Sequence, residues 1–240
     1  MEELANKLTA WIRDQVALAK RRGVVFGLSG GLDSAVVAVL CKRAFPANAL
    51  ALIMPCYSSE TDIEHAEAVV NKFHIPTSTI ALEEAFDSLL RVLSAGDHEP
   101  VNKKLAEANL KPRLRMLALY YSATQLGYLV VGTSNRSEIS IGYFTKYGDG
   151  AVDILPLGNL VKRQVRELAV YLDIPKEIIQ KPPSAGLWVG QTDEGEMGIT
   201  YEELDHYLIT GQAAEEVKKK VDARITGSAH KRALPAIPPF

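Results

Sequence analysis

The sequence predicts an α/β protein with a doubly wound, mostly parallel sheet and helices on both faces. Four short segments, at 24–28, 50–54, 77–80 and 128–132, are predicted to be strands. Stretches with helical spacing of apolar residues separate them, and parallel strands need such crossover connections. A glycine-rich turn, Ser29–Ser34, also joins the first strand directly to an apolar helix, as is typical of open α/β sheets.

The first helix is predicted over residues 3–21. Its apolar positions recur at helical spacing, and they are Leu4, Leu8, Trp11, Ile12 and Ala19. It ends in a basic cluster at 20–22 followed by Gly23, which is the usual signal for a helix C-terminus. We therefore assign this basic cluster no binding role.

The remaining helices and loops follow from the same patterns. Ser59 with Asp62 resembles a capping box, and Asn159 is expected to cap a helix after it. Helices are predicted at 34–44, 60–73, 82–93, 101–109, 112–126, 160–172, 200–208 and 212–225. Loops are predicted at 94–100, 142–158 and 181–199. The last of these is long, and we interpret it as a lid.

Composition limits the class of protein. The 240 residues, 47% of them hydrophobic, are enough for a single domain over 1–240. A net charge of −2 does not favour nucleic acid or an anionic membrane as a partner. Cys41 and Cys56 lie in or beside apolar runs, which suits core residues in a reducing compartment. With no signal region and no long apolar run, we expect a cytoplasmic protein.

The turn Ser29–Ser34, with the sequence SGGLDS, is predicted to bind phosphate. Its glycines allow a sharp turn and a close approach of the backbone to a ligand. The N–H groups of the turn and of the following helix then form an anion cradle. The hydroxyls of Ser29 and Ser34 can add hydrogen bonds, and Asp33 can hold a cation that bridges phosphates.

The expected topology brings a second segment to this turn. If the chain winds outward through strands one to three, strand four returns beside strand one. The segment 132–138 then lies at the carboxyl end of strand four, where ligands bind in such sheets. Asp33 and Glu138 should therefore converge. Two carboxylates beside phosphate oxygens suit Mg²⁺, which is the expected metal.

Basic residues are the remaining candidates, because nucleotidyl transfer needs cations where charge develops. They are Arg113, Arg115, Lys146, Lys162 and Arg163. Lys146 lies between Phe144 and Tyr147 in a Gly-rich loop, which indicates a held side chain, whereas the pattern around Lys162 and Arg163 is that of a polar helix face. The segment 230–232 is either a basic tail or a ligand contact.

Two resemblances narrow these alternatives. The turn resembles the pyrophosphate-binding loop of the ATP pyrophosphatase superfamily. The run GYFTKYGDG at 142–150, followed by Asp153, LPL at 155–157 and KRQV at 162–165, resembles the signature of the NAD synthetase family. Further matching segments cover nearly the whole chain, at 113–116, 132–133 with Glu138, 181–185 and 230–232.

The resemblance implies an adenine nucleotide alpha hydrolase-like, Rossmann-like fold and an ATP-dependent amidation of deamido-NAD to NAD. It implies that ATP contacts Gly27, Leu28, Ser29, Gly30, Gly31, Leu32, Asp33, Ser34, Thr133, Lys162 and Ser184. Ser184 falls where the family often has Thr. It implies that deamido-NAD contacts Arg113, Lys146, Asp153, His230 and Lys231, and that Asp33 and Glu138 hold Mg²⁺.

The resemblance also implies a homodimer with deamido-NAD near the subunit interface. Some family members carry a fused glutaminase domain, for which 240 residues leave no room. Free ammonia is therefore the expected nitrogen source, unless a separate glutaminase subunit supplies it. Residues 55–66 depart from the family pattern, and we assign them no adenosine contact. No general base and no ammonia pocket are assigned.

The turn Ser29–Ser34, called the phosphate loop below, leaves two other functions open when it is considered alone. One is another amidating or thiolating enzyme, such as the ATPase part of a GMP synthetase or a tRNA-modifying enzyme. The other is a nucleotide-binding module that senses ATP. A tRNA enzyme should show a basic surface and often a reactive cysteine, and a binding module does not need Glu138 or the 142–153 loop. Only the NAD synthetase resemblance accounts for the second half of the chain.

Overall fold

A four-stranded parallel sheet forms the centre of the computed structural model, which describes residues 1–95, 101–188 and 190–239. The strands are β1 (Val24–Gly27), β2 (Ala49–Ile53), β3 (Thr77–Thr79) and β4 (Leu129–Val131). Their order is β3-β2-β1-β4, so the predicted return of the fourth strand to the first is confirmed. In the register of the sheet, Phe26 of β1 lies opposite Ala51 and Val131.

The described part of the chain contains thirteen helices. They are α1 (Glu2–Leu18), α2 (Leu32–Ala44), α3 (Glu60–Phe73), α4 (Glu83–Leu93), α5 (Lys103–Ala108), α6 (Leu110–Leu126), α7 (Arg136–Ile141), α8 (Lys162–Tyr171), α9 (Lys176–Gln180), α10 (Asp193–Met197), α11 (Tyr201–Thr210), α12 (Glu215–Gly227) and α13 (Ala229–Arg232). Nine of these thirteen helices correspond to predicted helices, whereas the short helices α7, α9, α10 and α13 were not predicted. Among the thirteen, no helix combines the length and the apolar character that a membrane span requires.

Val24 and Phe26 pack with α1, α2 and α8, whereas Val25 packs with residues of α4 and α6. Ten of the thirteen residues of α2 are buried, so this helix is apolar on all sides and lies inside the fold. The phosphate loop therefore leads into the most deeply buried helix of the structure.

Several boundaries differ from the sequence prediction. Asn159 does not cap α8: the helix begins at Lys162, and the Gln164 side chain accepts the N–H of Val161 at 3.1 Å. Trp11, predicted on the apolar face, is 37% exposed, and Ala19 lies outside α1 because the helix ends at Leu18. Ser59 caps α3 as predicted, accepting the N–H of Asp62.

The three predicted loops have different outcomes, and the one at 142–158 contains no helix and no named strand. The segment predicted as a loop over 181–199 contains the short helix α10, which begins after the capping residue Thr192. The side chain of Thr192 accepts the N–H of Gly195, a local signal that glycine-rich surroundings obscured. Of the loop predicted at 94–100, residues 96–100 lie outside the described residues, as does Val189 of the segment 181–199.

Candidate active site

A cavity of about 460 Å³ opens where the carboxyl ends of β1 and β4 meet. It receives residues from the phosphate loop, from α6, from the 132–152 region and from the 181–196 segment. Of the residues implied above to bind ligands, those lining it are Gly27, Leu28, Ser29, Gly31, Leu32, Asp33, Ser34, Thr133, Glu138, Lys162, Ser184 and Lys231. The topology thus gathers most of the predicted ATP site into one cavity.

The phosphate loop is held in place by its own side chains. Gly30 has a φ of 75°, and a Cβ there would overlap the carbonyl oxygen of Asp62. The Ser34 hydroxyl donates to the carbonyl of Gly31 at 3.0 Å and accepts the N–H of Ser29 at 3.2 Å. The Ser29 and Ser34 hydroxyls lie 3.0 Å apart. These hydroxyls therefore shape the loop, and the N–H groups at the start of α2 remain for an anion.

Asp33, Glu138 and Lys162 form the charged centre of the cavity. The Nζ of Lys162 lies 2.5 Å from Oδ2 of Asp33 and 3.2 Å from Oε1 of Glu138. All three side chains are largely buried, Lys162 being only 6% exposed. The predicted convergence of Asp33 and Glu138 is present, and a lysine ammonium group joins them. The interpretation of Lys162 as part of a polar helix face was wrong.

The three charged side chains are positioned by the ends of two helices. Asn135 caps α7 and donates from Nδ2 to Oδ1 of Asp33 at 2.8 Å. Oε2 of Glu138 accepts the N–H of Asn135 at 3.3 Å, so Glu138 completes a capping box. Lys162 opens α8, and its N–H donates to the Ser137 hydroxyl, which in turn donates to Asp205. These contacts fix where the Lys162 side chain enters the cavity.

Burial controls the protonation of this centre. Burial raises the pKa of Glu138 from its ordinary 4.5 to about 7, against the opposing charge of Lys162. Burial lowers the pKa of Lys162, but the carboxylates of Asp33 and Glu138 outweigh it and raise that pKa above its ordinary value. Two carboxylates share one ammonium, so this centre favours a further cation.

The donor set of the cavity is compatible with Mg²⁺. This ion is usually held by one or two carboxylates together with phosphate oxygens and waters, not by a cage of protein ligands. Asp33 and Glu138 supply two such carboxylates beside the phosphate loop. Among the described residues there is no cluster of three histidine, cysteine or acidic side chains arranged to hold a metal. A metal at this point would therefore depend on phosphate oxygens.

A second layer of polar groups, which sequence analysis missed, supports Glu138. The Tyr201 hydroxyl lies 3.2 Å from Oε1 of Glu138 and 2.9 Å from Oδ2 of Asp193. The Tyr143 hydroxyl lies 3.1 Å from Oδ1 of Asp193 and 2.9 Å from Glu196. Burial also raises the pKa of Asp193. No local motif indicated these contacts, because those of Glu138 and Tyr143 join residues 50 to 63 positions apart.

Three of the residues implied to bind deamido-NAD lie outside the cavity lining and contact one another. Arg113 donates from Nη2 to the carbonyl of Lys146 at 3.4 Å, and Nζ of Lys146 donates to the carbonyl of His230 at 2.6 Å. Lys231 lines the cavity and donates to the carbonyls of Gly142 and Phe144. The predicted held position of Lys146 is thus explained by a hydrogen bond to the C-terminal segment.

Both carboxylate oxygens of Asp153 accept hydrogen bonds from the protein itself. Its Oδ2 accepts the N–H of Val130 in β4 at 2.8 Å, and its Oδ1 accepts the hydroxyl of Tyr120 at 3.1 Å. Asp153 is not among the residues that line the cavity. It fixes the segment after the 142–150 loop against the edge of the sheet.

Four of the residues 55–66, to which sequence analysis assigned no adenosine contact, line the cavity. Pro55, Ser58, Asp62 and Ile63 face it, and Arg115 holds the start of this segment. Nε of Arg115 donates to the carbonyl of Met54 at 3.1 Å and Nη2 to the Ser58 hydroxyl at 3.3 Å.

The exposed face of α8 contains Arg163, as the helix pattern indicated, but not Lys162. Arg166 lines the cavity, one helical turn after Lys162. Arg163 lies at the surface, where its Nη1 is 3.9 Å from Oε1 of Glu167, and both side chains are exposed. Residues four apart share a helix face, so the face that starts at Lys162 is the one turned to the cavity.

Comparisons with known proteins find similar chains that match nearly the whole length of this one. The family model described as NAD synthase matches residues 4–235. The NH(3)-dependent NAD(+) synthetase of Carboxydothermus hydrogenoformans is 51% identical over 99% of this chain and 97% of its own length.

Two solved structures share the fold over almost their whole length. The structure of NMN synthetase from Francisella tularensis aligns with a TM-score of 0.94 at 41% identity, covering 100% of this chain and 98% of that one. The NH3-dependent NAD synthetase from Campylobacter jejuni, in complex with the nitrate ion, aligns with a TM-score of 0.80 at 30% identity, covering 99% and 98%.

Proposed function

This chain belongs to the NAD synthase family, and from that membership we infer that it is an ammonia-dependent NAD synthetase. It is a ligase that converts deamido-NAD to NAD with ATP and ammonia. The observation that carries this proposal is the meeting of Asp33, Glu138 and Lys162 beside the phosphate loop. The curated relatives are matched over nearly their full length, which favours free ammonia as the nitrogen source.

The reaction proceeds in two steps at this cavity. The carboxylate of the nicotinate ring attacks the α-phosphorus of ATP, and pyrophosphate leaves. Ammonia then attacks the carbonyl carbon of the adenylylated carboxylate, AMP leaves, and one proton is released. The start of α2 and the loop N–H groups bind the departing pyrophosphate, while the Lys162 ammonium stabilises negative charge nearby.

We propose that Asp33 and Glu138 hold Mg²⁺ when ATP is bound. The ion would supply positive charge to the phosphates as they separate. The raised pKa of Glu138 supports this assignment. A buried carboxyl group with a pKa of about 7 is only partly ionised at neutral pH, and a bound cation would stabilise its ionised form. Asn135 and Lys162 keep both carboxylates oriented.

The ligand contacts proposed for this chain remain those implied by the family pattern. For ATP they are Gly27, Leu28, Ser29, Gly30, Gly31, Leu32, Asp33, Ser34, Thr133, Lys162 and Ser184. For deamido-NAD they are Arg113, Lys146, Asp153, His230 and Lys231. The linked cations Arg113 and Lys146 support a path for the dinucleotide that runs from the cavity to the surface.

We propose a homodimer in which α6 forms part of the contact. Leu117 and Tyr121 are 59% and 67% exposed and lie four residues apart on this helix. Arg113 continues the same stripe, so a contact here would border the proposed dinucleotide path. A paired apolar stripe of this kind is a typical interface feature.

A cytoplasmic location is part of the same proposal. Cys41 and Cys56 are both buried free thiols, as suits a reducing compartment. Burial raises the pKa of the Cys41 thiol, which leaves it inert as a nucleophile.

A second candidate acceptor is the mononucleotide of nicotinic acid, whose amidation would give NMN. The alignment to the Francisella tularensis NMN synthetase, with a TM-score of 0.94, favours it. The reacting carboxylate is the same in both acceptors. The mononucleotide lacks the outer AMP half, so it would not use the cations that lie outside the cavity.

A competition assay separates the two acceptors. The purified protein is incubated with ATP, Mg²⁺, ammonium and equal concentrations of deamido-NAD and nicotinic acid mononucleotide, and products are separated by chromatography. NAD as the main product supports the proposal, and NMN as the main product supports the second candidate. AMP and pyrophosphate without either amide would overturn both.

A further inference from the structure

We propose that Lys181 binds the pyrophosphate part of ATP, and that Asp62 keeps it in an ion pair until ATP enters. This proposal rests on the proposed function, because it assumes that ATP phosphates lie at the loop Ser29–Ser34. The side chains of Lys181 and Asp62 form an ion pair, and each is 26% exposed. Both residues line the cavity together with the loop.

The ion pair lies directly against the phosphate loop. Asp62 belongs to the first turn of α3, and its carbonyl oxygen occupies the space where a side chain at Gly30 would be. The Ser59 hydroxyl donates to Oδ2 of Asp62 at 2.7 Å, which fixes the carboxylate on the cavity side. A Cβ at Gly186 would lie 3.9 Å from the same oxygen, so the 181–188 segment also closes on this point.

The two lysines that border the loop are both paired with carboxylates in this structure. Lys162 is almost fully buried between Asp33 and Glu138, and removing it would leave two buried carboxylates without their cation. Lys181 has one carboxylate partner at a partly solvated position, where an ion pair contributes little to stability. Lys181 is therefore the lysine that can exchange a carboxylate for a phosphate.

Its segment is anchored on the far side of the pair. Lys111 of α6 donates to the carbonyl of Leu187 at 3.0 Å, and Nζ of Lys104 lies 4.4 Å from the ring centroid of Trp188. Lys181 can thus change partner while the segment stays over the cavity. Asp62, left behind, would repel the anion, so the two partners should affect pyrophosphate binding in opposite directions.

Calorimetric titration of inorganic pyrophosphate with Mg²⁺ into the purified protein tests this opposition. Lys181→Met should weaken binding about 10- to 100-fold, since it removes a charged hydrogen bond. Asp62→Asn, which keeps the cap and hydrogen-bonding capacity of α3, should strengthen it about fivefold. The affinity for AMP, which has no β- or γ-phosphate, should be unchanged in Lys181→Met.

Lys72→Met is the matched control, because Lys72 pairs with Asp173 at 2.8 Å between α3 and the chain before α9, outside the cavity lining. It should not change pyrophosphate affinity. If Lys181→Met and Asp62→Asn both weaken binding, the ion pair serves only to stabilise the local structure, and the proposal is overturned. Binding of pyrophosphate requires no nicotinate acceptor, so failure of amidation would leave this result interpretable. A wild-type protein that does not bind pyrophosphate would overturn the proposal and the phosphate-loop assignment together.

Discussion

Asp33 and Lys162, which are 129 positions apart in the sequence, meet at 2.5 Å in the cavity at the end of the sheet. Asp33 comes from the first turn of the buried helix α2, and Lys162 is the first residue of α8. Glu138 completes the group from α7. The contact connects the phosphate loop to the second half of the chain, and the first predictions follow from it.

Asp33→Asn should strongly slow adenylylation and leave the fold intact. The N-cap of α2 is Gly31, so Asp33 is not needed to start the helix, and Lys162 keeps Glu138 as a partner. Loss of this carboxylate should slow pyrophosphate release at least about 100-fold. The rate is measured with a coupled pyrophosphate assay, and circular dichroism checks the fold. Asp173→Asn, at the surface, serves as the control, and wild-type turnover of Asp33→Asn at ordinary Mg²⁺ would refute the assignment.

Glu138→Gln should change how stability depends on pH. The pKa of Glu138 is about 7 in the folded chain and 4.5 ordinarily, so its stabilising contribution is complete below pH 4.5 and is lost as pH rises to 7. The variant lacks this titration. Relative to wild type, its free energy of unfolding should therefore rise by ~3 kcal/mol between pH 4.5 and 7.

Urea denaturation at several pH values measures this difference. Glu167→Gln, whose side chain is exposed on α8, should follow the wild-type curve. A constant offset between Glu138→Gln and wild type over this range would mean that Glu138 is already ionised at low pH.

Gly30→Ala and Gly31→Ala should differ sharply. An alanine at position 30 would need a positive φ and would overlap the carbonyl of Asp62, which should cost at least about 2 kcal/mol of stability and distort the loop. At position 31 the added Cβ would meet only the Ser29 hydroxyl at 3.3 Å. Thermal unfolding and ATP binding measure both effects. Equal ATP affinity in the two variants would show that the loop shape does not control phosphate binding.

Leu117→Glu should dissociate the proposed homodimer. A charge in the middle of the exposed stripe on α6 would be buried without a partner at the interface. Sedimentation velocity should shift from dimer to monomer. Val170→Glu, at a 63% exposed position on α8, should stay dimeric. An unchanged dimer in Leu117→Glu would move the interface away from α6.

The sheet and the first half of the site could be predicted from the sequence because they depend on local signals. Apolar runs separated by helices determine a parallel sheet, and the crossover rule then brings Asp33 near Glu138. Lys162 could not be assigned from its own surroundings. Its role depends on where α8 begins, and that point depends on Asp205, which accepts the hydroxyl of Ser137 and the N–H of Arg163.

The supporting polar groups were not predictable for a similar reason. Tyr201 and Asp193 lie on helices with ordinary surface patterns, and their meeting with Glu138 depends on how α10 and α11 pack. Asp62 was recognised only as part of a helix cap, whereas the structure places it between the phosphate loop and Lys181. The spacing of residues within one helix or loop does not indicate which distant segment its side chains will contact.

Transfer of oxygen from the acceptor carboxylate to AMP would be direct evidence that the carboxylate is adenylylated. Deamido-NAD labelled with ¹⁸O in the nicotinate carboxylate is incubated with the protein, ATP, Mg²⁺ and ammonium, and the products are analysed by mass spectrometry. If the carboxylate attacks the α-phosphorus of ATP, one ¹⁸O atom appears in AMP for each NAD formed, and none appears in pyrophosphate. Formation of ADP with the label in orthophosphate, or unlabelled AMP, would contradict attack of the carboxylate on the α-phosphorus.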